Sequence, residues 1–279
     1  MSDSNGRRSS RLPGFYTRPL EERIAIVAAW AGLSPAEAAV LAGCGLSAGQ
    51  ANLMIENALG AFELPLGVAC NFQINSRDYL VPMAIEEPSV LAAVSHAAKL
   101  VRSGGGFQTE ASEPVMIGQL QLLEVSDMPA AIAAVEAHKA ELLAIADEGK
   151  RTTLRLGGGA RDIEARPFPD TPAGPMLILH LYADVRDAMG ANAINTSLER
   201  MAPRLAELTG GRVGLRILSN LSDRRTASAR CCVPAAALAD RPEDGRQVAR
   251  LIAEANAFAL VDPYRAATHN KGIMNGIDA

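Results

Sequence analysis

The sequence predicts an α+β fold, a large mixed domain interrupted by a small inserted one, and three observations carry that prediction. The first hundred residues are mostly helical and alanine-rich, with a single short hairpin among them. The middle changes character: strand 115–125, helix 128–146, strands 161–166 and 175–185, helix 188–208 and strand 213–219 follow in turn. That β-α-β-β-α-β order is the split βαβ, or ferredoxin-like, arrangement. It places a compact insert at 114–220, between a first part (1–113) and a second part (221–279) of the large domain.

Each element has a local reason. The polar, basic stretch 1–12 reads as a flexible tail, and no apolar run follows its charges as a secretory signal would require. Ser34-Pro35-Ala36-Glu37 is a capping box with proline at the first helical position, predicting a helix to about 43. Ser47 and Gln50 repeat the signal for a helix through 57. Apolar runs 68–74 and 79–85 flank the polar Asn75-Ser76-Arg77-Asp78 and read as a hairpin. Segment 89–102 has helical spacing and stops at Gly104-Gly105-Gly106. Past the insert come a strand-like stretch, 227–233, a helix, 246–260, and a polar-rich segment, 262–279, that ends without a terminal helix or polar tail.

Composition narrows the function. Among 279 residues 48% are hydrophobic and 21% charged, with net charge -4, as in ordinary soluble globular proteins. No basic field points to nucleic acid and no polybasic patch to a membrane. No apolar run approaches the ~20 residues that span a bilayer. Cys44, Cys70, Cys231 and Cys232 form no C-x-x-C pair; they read as small core hydrophobes in a reducing cytoplasm, and no metal site is read.

Four polar clusters stand out. Glu86-Glu87-Pro88-Ser89 closes an apolar strand just before a helix. It reads either as an acid pair complementing the helix dipole or as a partly buried carboxylate tuned for acid chemistry. Gly157-Gly158-Gly159 resembles a phosphate loop, but no Gly-Lys-Ser/Thr follows, and a plain turn is the other reading. Asp187-Ala188-Met189-Gly190-Ala191-Asn192 joins a strand to a long helix. Small residues there let an anion approach free backbone N–H groups; equally, Asp187 reads as an N-cap and Gly190 as a packing contact. The fourth cluster gathers Arg265, His269, Asn270, Lys271 and Asn275 between apolar segments, which reads as a site. Lys271 beside Gly272 has the setting of a desolvated cation, and Arg265 that of a carboxylate clamp.

In sequence and in order these clusters resemble class II 3-hydroxy-3-methylglutaryl-CoA (HMG-CoA) reductases. The matching stretches are Ser10-Arg11-Leu12-Pro13, Glu56-Asn57-Ala58-Leu59-Gly60 with Phe62-Glu63-Leu64-Pro65, Val81-Pro82-Met83 with Glu86-Glu87-Pro88-Ser89, the 157–159 loop, 184–192, 216–220 and 262–278. The resemblance implies that the insert binds a nicotinamide dinucleotide. It further implies interconversion of HMG-CoA and mevalonate by two hydride transfers with exchange of free CoA, in a cytoplasmic homodimer or assembly of dimers. Lys271 matches the family's catalytic lysine and Glu87 its catalytic glutamate. Ser89 and Arg265 match positions that hold the substrate carboxylate, and Asn275 a polar position near the lysine. Asp187, Met189, Gly190 and Asn192 match the cofactor turn, and Glu56 to Gly60 the dimerisation motif.

The resemblance also sets two departures. A catalytic aspartate implied shortly after Asp278, and a histidine that protonates the departing CoA thiolate, are not among the 279 residues. The 279-residue chain is therefore expected to turn over weakly or not at all and to be poorly stable; the alternative function is a relative that binds CoA or dinucleotide without turnover. Family members that prefer NAD place an aspartate ahead of the glycine loop, where ungapped counting puts Lys150, followed by Arg151. Those cations suit NADP, whereas a small gap brings Asp147 or Glu148 to the position, so NAD and NADP both stand.

Overall fold

The structure, a computed structural model, describes residues 8–43 and 45–279. In chain order it contains α1 (Leu20–Ala31), α2 (Pro35–Ala42), α3 (Ala48–Met54), β1 (Leu66–Ile74), β2 (Arg77–Ala84), α4 (Val90–Ser103), β3 (Gln108–Ala111), β4 (Val115–Leu123), α5 (Met128–Ala137), α6 (Lys139–Asp147), α7 (Arg151–Arg155), β5 (Gly159–Phe168), β6 (Met176–Asp184), α8 (Ala191–Thr209), β7 (Arg212–Leu218), β8 (Ala227–Arg230), α9 (Gly245–Val261) and α10 (Pro263–Asp278). The chain divides into two compact units. One comprises the described residues up to Thr109 together with Ala229–Ala279; the other is Glu110–Ser228.

In the first unit, capping fixes the helix starts. Ser34 and Ser47 each accept from the backbone N–H three residues on, and Glu37 and Gln50 reach back to complete both boxes. The second of these helices stops at Met54, shorter than the capping signal alone suggested. β1 and β2 pair antiparallel with Ile74 opposite Arg77, so the hairpin turns on Asn75 and Ser76 alone. Both residues hold positive φ, 48° and 64°, as the twist of a two-residue turn demands. Residues 8–12 are not a free tail. Ser10 is fully buried: its N–H donates to Asp78 Oδ2 at 2.7 Å and its hydroxyl to the Phe72 carbonyl at 2.7 Å. Arg102 closes on the same carboxylate at 2.9 Å. Burial pushes the Asp78 carboxyl up, but bonds from Arg102 and Ser10 and the Arg102 charge together outweigh it and hold it below its usual value.

The second unit is built on one four-stranded sheet in the order β5-β6-β4-β7, with every adjacent pair antiparallel. Alternation along β6 sends Leu177, Leu179, Leu181 and Ala183 into the core, where Leu142, Ile194, Leu198 and Leu205 from α6 and α8 meet them. Each such leucine removed from water contributes roughly 1.5–3 kcal/mol. The predicted helix 128–146 is two: His138 has φ -106° and serves as C-cap of α5 and N-cap of α6, bonding Ala134 O through its own backbone and ring. The short helix α7 had no counterpart in the sequence reading. The cysteine reading holds only in part: Cys70 is buried, Cys231 and Cys232 are exposed, and Cys44 lies outside the described residues. No helix among the described residues is long and apolar enough to cross a membrane.

Candidate active site

The 262–278 segment, which reads as irregular in sequence, is helix α10, and no residue of it is buried. Asp262 caps it, accepting from the Arg265 N–H at 2.7 Å, and Pro263 starts it. The helical pitch places Lys271 and Asn275 one turn apart on one face. Glu87 lies just past the end of β2 in the same unit. Lys271 Nζ donates to Glu87 Oε2 at 2.6 Å and Asn275 Nδ2 donates to the same oxygen at 3.0 Å. Residues 184 and 188 positions apart in sequence thus converge on one atom.

The geometry corrects two expectations. The Glu87 side chain is 45% exposed and that of Lys271 65%, so this is an open ion pair and not a buried carboxylate beside a desolvated cation. The Lys271 hydrogen bond, then its charge, hold the Glu87 carboxyl below its ordinary value. Ser89 is the N-cap of α4 yet makes no capping bond. It holds φ 74°, a left-handed conformation unusual for a residue with a side chain, and its hydroxyl makes no hydrogen bond among the described residues. Pro88 precedes that cap and does not start the helix. Arg265 shares α10 with Lys271, but its side chain makes no hydrogen bond or ion pair among the described residues. Beside Glu87, Pro88 and Ser89 opens a cavity of about 1260 Å³, largely apolar, with Arg11, Lys99 and Arg102 also on its lining.

The second unit holds the other cluster. Val185 to Gly190 leaves β6 and enters α8, whose N-cap is Gly190 at φ 98° with no side-chain cap; Asp187 is therefore not the cap. A Cβ at Gly190 would lie 2.7 Å from Val185 Cγ1, so no other residue fits that turn. Asp187, Met189 and Asn192 are exposed around it. The first N–H groups of a 19-residue helix stand without side-chain acceptors, a setting that favours an anion. In the glycine loop, a Cβ at Gly159 (φ 115°) would approach Leu154 Cδ2 to 2.7 Å and Asp147 Oδ2 to 2.9 Å. Asp147 sits at that loop because its Oδ1 accepts from the Ala160 N–H at 2.8 Å. Lys150, at the start of α7, is half-buried; burial lowers its ammonium pKa, against the pull of the Asp147 charge. Asp184, absent from the four polar clusters, is a buried carboxylate ending a strand whose other buried polar residue is His180. That oddity in composition was the available signal.

A model of the family described as hydroxymethylglutaryl-coenzyme A reductase matches residues 19–279. The chain belongs to this family. It is 50% identical over 271 residues to the 3-hydroxy-3-methylglutaryl-coenzyme A reductase of Archaeoglobus fulgidus, covering 97% of this chain and 61% of that one. A probable reductase of Borreliella burgdorferi is 32% identical over 225 residues, covering 80% and 50%. Among solved structures, a reductase from Streptococcus pneumoniae superposes with TM-score 0.87 at 39% identity, over 96% of this chain and 63% of that one. A class II reductase of the same organism, bound to NADPH in open conformations, gives TM-score 0.87 at 38% identity, over 96% and 72%. The class II resemblance seen in the sequence is matched there. The chain thus spans about half to three-fifths of the length of these two curated reductases.

Proposed function

We propose that the chain carries the reductase chemistry of its family, interconverting HMG-CoA and mevalonate with a nicotinamide cofactor and exchange of free CoA. The observation that carries this reading is the convergence of Lys271 and Asn275 on Glu87 Oε2 beside the large cavity. Reduction of a thioester builds negative charge on its carbonyl oxygen, and the Lys271 ammonium stabilises that charge. In the aldehyde step Glu87 gives the proton that the carbonyl oxygen takes up as hydride adds to its carbon, and takes it back in the reverse direction; the 2.6 Å bond from Lys271 holds the carboxyl in place. Asn275 fixes the orientation of the carboxylate. Ser89, with its hydroxyl free, and Arg265, with its guanidinium free, hold the substrate carboxylate.

The second unit, in this proposal, is a ferredoxin-like dinucleotide-binding domain; its strand order β5-β6-β4-β7 and antiparallel pairing support that assignment. The residues fit a dinucleotide: the uncapped α8 start and the Gly190 turn that a Cβ would fill suit a pyrophosphate. Asp187, Met189, Gly190 and Asn192 would hold it. When bound, the nicotinamide supplies the hydride. At the adenosine end Asp147 and Lys150 compete as an acid for a ribose hydroxyl and a cation for a 2′-phosphate, so NAD and NADP both remain. We also assign the exposed 56–65 segment to a face between two copies of the chain.

Lys271→Ala and Glu87→Gln test the chemistry. Each is expected to abolish whatever HMG-CoA-dependent NAD(P)H oxidation the chain supports while leaving dinucleotide binding intact. Binding of neither dinucleotide nor CoA thioester by the unaltered chain would defeat the proposal. Asp147→Asn is expected to shift the kcat/KM ratio toward NADPH by roughly tenfold, the scale of one hydrogen bond to a charged group. An unchanged ratio would assign the choice to Lys150.

A further inference from the structure

The proposed chemistry makes no use of Asp184, although it is only 1% exposed at the end of β6. Its Oδ2 receives Arg161 Nη2 at 2.9 Å and Arg186 Nη2 at 3.0 Å, and its Oδ1 accepts from the Arg186 backbone N–H at 3.0 Å. Both guanidinium groups go on to the glycine loop. Arg161 Nη2 donates to the Gly157 carbonyl at 2.7 Å, and Arg186 Nη2 donates to the same oxygen. Arg186 itself holds φ 53°. On its far side, Arg225 donates to the Ala188 carbonyl at 3.0 Å and to the Arg186 carbonyl at 3.4 Å.

A carboxylate taken out of water is stable only when its charge is met and its oxygens bonded. An apolar residue would end β6 without that requirement. What the buried charge achieves is a junction: two arginines share it, and both seize Gly157 O, so the 157–159 loop and the 186–190 turn are tied at one point. The β5–β6 ladder reaches the loop only at its last residue, where Gly159 pairs with Asp184; Gly157, Gly158 and the 186–190 turn lie outside it. Resting on the reading of this unit as a dinucleotide-binding domain, we infer that Asp184 is a positioning residue that sets the spacing of the two loops, with Arg161 and Arg186 as its arms. It is not a ligand of the dinucleotide; it acts through the loops.

The test is titration of the full chain with NADPH and with NADH, in parallel with amide hydrogen exchange and urea unfolding. Asp184→Asn preserves shape and removes charge; it is expected to weaken dinucleotide binding about 10–100-fold, the range seen when outer-shell partners of a binding site are lost. Arg161→Gln guards against a folding failure, because Arg161 is 42% exposed and its truncation opens no buried hole. It is expected to weaken binding several-fold, with a lower urea midpoint but still cooperative unfolding, because Arg186 continues to meet the Asp184 charge. In both variants exchange should rise at 157–160 and 186–192 and stay constant in β4 and α5. Wild-type affinity in both variants overturns the inference, as does exchange that rises evenly across the unit. Failure of the unaltered chain to bind either dinucleotide overturns the functional reading and this inference with it.

Discussion

His180 shows how one residue can carry a pH dependence that has nothing to do with turnover. It is 6% exposed on β6, with Gln119 Nε2 donating to its Nε2 at 2.9 Å and Arg166 Nη1 3.3 Å from the same nitrogen. Burial, then the Arg166 charge, push its pKa below the ordinary value, against weaker pulls from Glu164 and Asp223. The folded state therefore keeps the ring neutral. Above the unfolded value of about 6.5 both states are neutral and pH has no effect through this group. As pH falls below that, the unfolded chain takes up a proton that the folded chain refuses, and stability declines. His180→Gln keeps a hydrogen-bonding side chain and should flatten this loss. Urea midpoints at pH 7.5 and 5.5 check it: equal losses in both proteins would remove His180 as the cause. Glu87 runs the other way in origin, since Lys271 favours its charged form. Its contribution is present above its unfolded pKa and lost as pH falls through the lower folded value.

At the scale of elements, what was legible followed local rules, and most of what was not depended on the rest of the chain. Both capping boxes were plain in the sequence because Ser34, Glu37, Ser47 and Gln50 act within one helical turn. Ser34→Ala should accordingly cost about 1 kcal/mol, read as a shift in urea midpoint, with the remaining helices unaffected. The hairpin turn was legible for the same reason. The division of 128–146 at His138 was not, because alanine and leucine favour helix throughout and the break is made by a local bond to Ala134 O. Helix α10 was misread as irregular because its polar residues serve Glu87, which lies far away in sequence, and not a core face of their own. Lys271 and Asn275 stand out in the sequence by their polar cluster and again by resemblance; only the structure puts both on one carboxylate oxygen. Ser10 is the converse case: its neighbours are basic and polar, and its burial comes from Asp78 and Arg102.

For the molecule as a whole, the exposed apolar residues are informative. Leu59 is fully exposed, at 101%, and Phe62 is 90% exposed, in the segment proposed as a face between copies. Large side chains in such numbers on one short stretch need a cover to be stable in water. Paired substitution of Leu59 and Phe62 by glutamate should shift the chain to monomer in sedimentation velocity. A wild-type chain that is already monomeric at high concentration would refute the assignment. The family and the broad fold were legible over most of the chain because the marked motifs are short and contiguous. The Asp184 junction was not, because its members are spread over 157–225 and meet only when the sheet is formed.

The pairing of Glu87 with Lys271 also has a consequence for biosynthesis. A ribosome adds about 5–20 residues per second, so Glu87 leaves the peptidyl centre roughly 10–40 s before its partner 184 residues later. In that interval the whole of Glu110–Ser228, a compact unit, is made. The second unit can thus be complete while the first unit still lacks α9 and α10. Throughout that time the Glu87 carboxylate has no cation from α10, and the Lys271 bond forms only after the whole second unit has been made.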